Sequence, residues 1–253
     1  MKKIIVAGAT GSMGQQVVKL IENQSDCELV AVLAPNMASN SNFKQVVKCY
    51  KSLRDINNLT ADIWIDFTTP AAVFENTKFA IEHQIRPLIG TSGLTTEQIT
   101  QLQKKAQEQK IGGLIAPNFG LSAVLLMKFA QEAARYFPDA EVIEMHHADK
   151  LDAPSATAIA TARLIATNQE QAIDQNSSNE SRARGENYAG IPVHSVRLPG
   201  YVAHEQVLFG GLGEALTLRQ DSFDRSSFMS GVKLALEHIM ELPELVVGLE
   251  KIL

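Results

Sequence analysis

The first apolar run, Lys3–Ala7 (KIIVA), has no polar alternation, which predicts a short strand buried on both faces. A glycine-rich turn follows, and Gln15–Glu22 then places Val17, Val18 and Ile21 on one helix face. Leu29–Leu33 (LVAVL) and Ile63–Phe67 (IWIDF) read as further buried strands, Ala71–His83 as a helix and Pro87–Ile89 as a strand. Thr95–Gln109 carries Ile99, Leu102 and Ala106 at helical spacing, with Thr95 or Thr96 as N-cap, and Gly113–Ala116 (GLIA) returns to strand. Strands alternating with helices predict right-handed crossovers and a doubly wound parallel sheet over about the first 118 residues.

After Asn118 the pattern changes. Leu121–Phe137 is a long helix rich in Ala and Leu, Glu141–His147 a strand, and Ala153–Thr167 an Ala-rich helix. Residues 168–190 are polar and show no apolar period, as in a functional or mobile loop. His194–Leu198, Glu205–Gly210 and Glu214–Arg219 read as successive strands joined by short glycine-bearing turns, which predicts a mainly antiparallel sheet. Helix returns at Ser226–Glu241, and Val232–Leu253 stays apolar and helical in pattern. The second region is therefore α+β, with its boundary near residue 118.

Composition narrows the function classes. Of 253 residues, 45% are hydrophobic and 20% charged, so disorder is excluded. The net charge of −5 gives no basic field for nucleic acid or an anionic membrane. No apolar run approaches the roughly 20 residues of a membrane span, and a strand pattern starting at residue 3 leaves no room for a signal peptide. Cys27 and Cys49 form neither a disulfide framework nor a metal set, which points to a reducing, cytoplasmic setting.

Gly8-Ala9-Thr10-Gly11-Ser12-Met13-Gly14 directly follows a buried strand and opens a helix, the context that gives a G-x-x-G-x-x-G string its meaning. A pyrophosphate here would meet backbone N–H groups at a helix N-terminus, where the dipole favours negative charge. The alternative is a tight strand–helix turn without a ligand. The acid that would clamp an adenine ribose is missing: the second strand ends Leu33-Ala34-Pro35-Asn36. No Arg replaces it, although Lys44 and Lys48 lie downstream, so NADH and NADPH both stay open.

The second concentration of chemistry is Glu144-Met145-His146-His147-Ala148-Asp149-Lys150-Leu151-Asp152-Ala153-Pro154-Ser155-Ala156-Thr157-Ala158. Adjacent histidines on a strand point to opposite faces unless the strand ends there. Asp149, Asp152 and Pro154 predict such an end, followed by a helix capped by Ser155, or by Asp152 if it begins earlier. The N–H groups of Ala156 and Thr157 would then be free for a carboxylate. Zinc is disfavoured, because no third ligand lies nearby and no His pair has i, i+4 spacing. A solvated corner with incidental histidines is the plain alternative.

This segment resembles the H-H-x-x-K-x-D-A-P-S-G-T-A stretch of the 4-hydroxy-tetrahydrodipicolinate (dihydrodipicolinate) reductase family of bacterial lysine and diaminopimelate synthesis. The resemblance extends to Gly8–Gly14, Asp66–Pro70 (DFTTP), Gly90–Gly93 (GTSG), Ala116–Phe119 (APNF) and Val196–Ser222. It implies a Rossmann-type dinucleotide-binding domain, residues 1–118 completed by 226–253. Residues 119–225 would form an α+β domain for substrate binding and oligomerisation. It further implies NADPH or NADH held by Gly8, Ala9, Thr10, Gly11, Ser12 and Met13, with Gly90, Thr91, Ser92, Ala116, Pro117, Asn118 and Phe119 beside the nicotinamide. His146 would be the catalytic acid/base and Lys150 the proton donor. His147, Ser155, Ala156 and Thr157 would bind a small dicarboxylate, and relatives' association implies a homotetramer.

Two positions depart from the family pattern. Ala156 stands where the family has Gly, which strains the chain if φ is positive there and fits well if this is the first helical residue. The ribose acid is the other, and its absence predicts relaxed cofactor preference or a tilt to NADPH. Two further classes stay open: another two-domain NAD(P)-dependent oxidoreductase, and a non-enzymatic dinucleotide-binding redox sensor. The latter lacks a basic helix–turn–helix or spare length for a partner module.

Overall fold

In a computed structural model, which describes residues 1–36, 47–57, 60–169 and 182–253, the chain divides into two compact units. One comprises Met1–Phe119 with Phe228–Leu253, the other Gly120–Ser227. Lys44 and most of the polar stretch 168–190 lie outside the described residues.

The first unit alternates strand and helix: β1 (Lys2–Ala7), α1 (Ser12–Glu22), β2 (Cys27–Leu33), β3 (Lys48–Tyr50), β4 (Ile63–Asp66), α2 (Val73–Glu82), β5 (Arg86–Ile89), α3 (Thr96–Gln109) and β6 (Gly113–Ile115). All pairs are parallel, and the sheet reverses direction at β1, which lies between β2 and β4. In doubly wound sheets such a reversal opens a ligand crevice beyond the strands' carboxyl ends. Uninterrupted apolar strands form because both faces are covered: Ile4, Ile5, Ile63, Trp64, Ile65 and Leu88 have no exposed surface. Thr95 caps α3 through a capping box with Gln98.

The second unit holds α4 (Leu121–Ala133), β7 (Asp139–His146), α5 (Ala156–Asn168), β8 (Glu186–Tyr188), β9 (Ile191–Arg197), β10 (Ala203–Gly211) and β11 (Glu214–Ser222). The order is β11-β10-β7-β9-β8, antiparallel except for the central β7–β9 pair, which is parallel. Both helices pack on one sheet face, where Val142, Val207, Phe209, Ile191 and Val193 meet Leu126, Ala130, Ala158, Ala162 and Ile165.

The chain then returns to the first unit. α6 (Met229–His238) ends earlier than its apolar pattern predicts, and Leu245–Val247 forms β12, paired in parallel with β6. Pro243 explains the change: it biases Leu242 away from helical ψ, and Leu242 is extended (φ −68°, ψ 123°). The other strands missed from sequence, β3 and β8, are three-residue edge segments too short for a period to show.

Candidate active site

The carboxyl ends of β1, β4, β5 and β6 bring four of the segments quoted above to one end of the parallel sheet. Gly8 sits at φ +81°, and a Cβ there would lie 2.2 Å from the Phe67 carbonyl oxygen. A Cβ on Gly14 would lie 2.1 Å from the Gly8 carbonyl oxygen, so glycine at both positions is what lets α1 close on its strand. α1 begins at Ser12, inside the glycine-rich string rather than after it. Its first turn has no acidic residue and Gly11 provides no side-chain cap, which leaves the N-terminus open to a diphosphate. Thr10, Gly11 and Ser12 are exposed, Met13 half-buried and Ala9 buried. This cradle fits a dinucleotide. Gly8→Ala is expected to cost about 1–2 kcal/mol from backbone strain alone. NADPH affinity should fall at least about tenfold, measured by fluorescence titration.

Asp66 organises the neighbouring segment, a role the sequence reading did not assign. Its buried carboxylate accepts from Thr68 N (3.0 Å), Thr68 Oγ1 (2.6 Å), Thr91 Oγ1 (2.7 Å), Asn76 Nδ2 (2.9 Å) and Trp64 Nε1 (3.3 Å). Thr91 Oγ1 also accepts from Thr68 N at 2.7 Å, so its rotamer is held from both sides. Gly90 lies against the rings of Phe67 and Phe119, whose centroids are 5.7 Å apart. Ala116 and Phe119 are buried, Asn118 is half-buried, and Ser92 and Pro117 are exposed.

In the second unit, β7 ends at His146, so the strand does stop between the two histidines. His146 Nδ1 lies 2.6 Å from Glu144 Oε2, whereas His147 is 52% exposed at its side chain and 3.8 Å from Asp149. Glu144 has no exposed surface. It accepts from both terminal nitrogens of Arg197 at 2.6 and 2.7 Å and from Ser155 N at 3.1 Å. Burial acts to raise its carboxyl, but hydrogen bonds from His146, Arg197 and Ser195 outweigh this and hold it at about 2. Glu144 is therefore an anion, and an anionic acceptor 2.6 Å from His146 Nδ1 favours the tautomer that carries its proton on that nitrogen.

The Lys150 ammonium is 2.6 Å from Asp152 Oδ1 and keeps that carboxyl low. Arg197 also donates to the Asp152 carbonyl at 2.7 Å, tying the corner to β9. Ser155 is the N-cap of α5, its Oγ accepting from Ala158 N at 3.2 Å. Ala156 is the first helical residue and its φ is not positive, so alanine fits where the family has glycine. One expectation needs correction. The Ala156 N–H is not free, because it donates to the Asp152 carboxylate, which reaches across the helix start. Arg197 and Glu144 escaped the sequence reading as a pair, since they meet only through the parallel β7–β9 pairing.

Residues 2–119 match the family model for the dihydrodipicolinate reductase N-terminus, and residues 122–253 match that for its C-terminus. The chain belongs to the dihydrodipicolinate reductase family. A 4-hydroxy-tetrahydrodipicolinate reductase of Lactobacillus helveticus is 58% identical over all of this chain and 98% of its own. One of Streptococcus pneumoniae is 49% identical over 99% of each. A solved structure, the dipicolinate-bound dihydrodipicolinate reductase of Paenisporosarcina sp. TG-14, is 45% identical over the whole of both chains, with a TM-score of 0.90. As a dihydrodipicolinate reductase, the chain is an oxidoreductase that uses NADH or NADPH, which sets aside the redox-sensor reading.

Proposed function

We propose that this chain reduces 4-hydroxy-tetrahydrodipicolinate (dihydrodipicolinate) to tetrahydrodipicolinate in lysine and diaminopimelate synthesis, with His146 and Lys150 managing the proton. The observation that carries the residue assignment is the Glu144–His146 hydrogen bond, at the start of the block that resembles the family. The chemistry a bound dihydronicotinamide supplies is a hydride. The neighbouring carbon then needs a proton, and the chain offers it from the Lys150 ammonium, four residues along from the His146 imidazole that Glu144 holds. Ser155, Thr157 and His147 bind the substrate carboxylates, and Ala156 joins them once Asp152 yields its N–H. Cations and a helix N-terminus are what an anionic chain needs to hold a dianion.

Two measurements test this reading. Coupled to an upstream aldolase, the chain should oxidise NADPH, and pyridine-2,6-dicarboxylate should raise its melting temperature. Absence of both effects refutes it.

The cofactor preference has its own expected outcome. β2 ends at Leu33 with Ala34, Pro35 and Asn36 beyond it, so nothing there repels a 2′-phosphate. Michaelis constants for NADPH and NADH should lie within about tenfold or favour NADPH; a hundredfold preference for NADH overturns this.

A homotetramer in the cytoplasm completes the proposal. The sheet face of the second unit opposite α4 and α5 carries half-buried Ile143, Val196 and Leu208, a surface suited to association. Both cysteines are free, as a reducing compartment requires. Among the described residues no helix is long and apolar enough to cross a membrane. Sedimentation velocity reads the assembly directly, and a monomer at micromolar concentration rules the tetramer out.

A further inference from the structure

A row of polar side chains crosses the helix-covered face of the second unit's sheet. Gln220 on β11, Glu205 on β10, Glu144 on β7 and Ser195 on β9 stand in register, and directly opposed residues share a face with their Cβ atoms about 5 Å apart. Glu205 is 3% exposed. Among the described residues its Oε1 has no hydrogen-bond partner, and no Lys, Arg or His pairs with it.

The surroundings of Glu205 explain why no cation reaches it. On the β7 side stands Glu144, already an anion, with His146 beyond it and both terminal nitrogens of Arg197 spent on it. On the β11 side the Gln220 amide donates to the Ala203 carbonyl and accepts from Ser122 on α4 and from Ser222. From α5, Thr161 makes a side-chain hydrogen bond to Glu205, and its hydroxyl also donates to the Thr157 carbonyl at 3.1 Å. A hydroxyl has one hydrogen. Thr161 has that single hydrogen to divide between the Thr157 carbonyl and Glu205, so the buried carboxyl lacks the two or three donors that hold a carboxylate ionised.

We propose that Glu205 is a positioning residue that works as a neutral acid: its lack of charge leaves Glu144 as the single anion serving His146 and Arg197. Burial, opposed only by Thr161 and reinforced by Glu144, pushes its carboxyl up to about 7. Ionisation above that value puts a second negative charge beside Glu144 and under the site that must receive a dianion. Substrate affinity therefore carries an alkaline limit set by a residue that does not touch substrate. This rests on the assignment of His146 and the α5 N-terminus to the substrate.

The test is calorimetric titration of pyridine-2,6-dicarboxylate into wild type and Glu205→Gln at pH 6 and pH 8.5. Gln keeps a neutral donor, so the variant should bind within about threefold of wild type at pH 6. At pH 8.5 wild type should have weakened by about tenfold more than the variant, as follows if the bound dianion raises the Glu205 pKa by about one. Equal pH dependence in the two proteins overturns the inference while leaving the substrate assignment standing; no binding by wild type at either pH sinks the assignment itself. Infrared difference spectra of the wild type provide a check that needs no variant. A protonated-carboxyl carbonyl band should vanish with a midpoint near 7, and its absence at pH 6 overturns the inference.

Discussion

Lys150→Ala and His146→Gln should each lower kcat by about 10²–10⁴-fold, the range for removing a positioned proton donor or acceptor. The fold should survive both. Lys150 pairs with an Asp152 side chain that is 56% exposed, and such pairs contribute at most about 1 kcal/mol. Gln at position 146 can still donate to Glu144, so the buried carboxylate keeps a partner. If the two side chains pass one proton as a unit, the double variant will be no slower than the worse single one. Turnover unchanged in both single variants would falsify the assignment.

The largest stability effect is expected at the Glu144–Arg197 pair. Breaking it from either side, with Glu144→Gln or Arg197→Met, strands a buried group and should cost about 3–5 kcal/mol. Acid should reproduce part of that loss in wild type. The Glu144 carboxyl lies at about 2 in the folded chain against an ordinary 4.5, so it is a depressed acid. Its contribution is complete above about pH 4.5 and disappears as pH falls towards 2. A displacement of that size corresponds to about 3 kcal/mol. Urea unfolding at pH 7 and near pH 3 measures both effects: Glu144→Gln should be weaker at pH 7 and lose less on acidification. A variant as stable as wild type at pH 7, or one with the wild-type acid slope, would sink this account.

Local signals in the sequence carried the parallel sheet, the glycine-rich cradle and the strand-to-helix corner. Buried strands read as apolar runs, and Ser155 announced the start of α5 because a cap is a contact within four residues. Contacts made by folding itself were not legible. Glu144 stood inside the most informative block, yet its partner Arg197 is 53 residues away and arrives only because β7 and β9 pair in parallel. Glu205 sits in a stretch, Ala203–Gly211, that reads as an ordinary strand, and its burial comes from α5 overhead. Asp66 was quoted as part of a motif, but its five donors come from β4, α2 and the segments after β4 and β5. At Leu245–Val247 the apolar pattern favoured helix, and a single proline decided otherwise.

The pairing of β12 with β6 has a consequence for biogenesis. While the chain emerges from a ribosome, β6 presents a bare strand edge until Leu245–Val247 has been synthesised, some 130 residues later. At ordinary elongation rates that delay is on the order of ten seconds. Unpaired edges invite sticking between nascent chains, so this edge is exposed to mispairing until the C-terminal strand arrives.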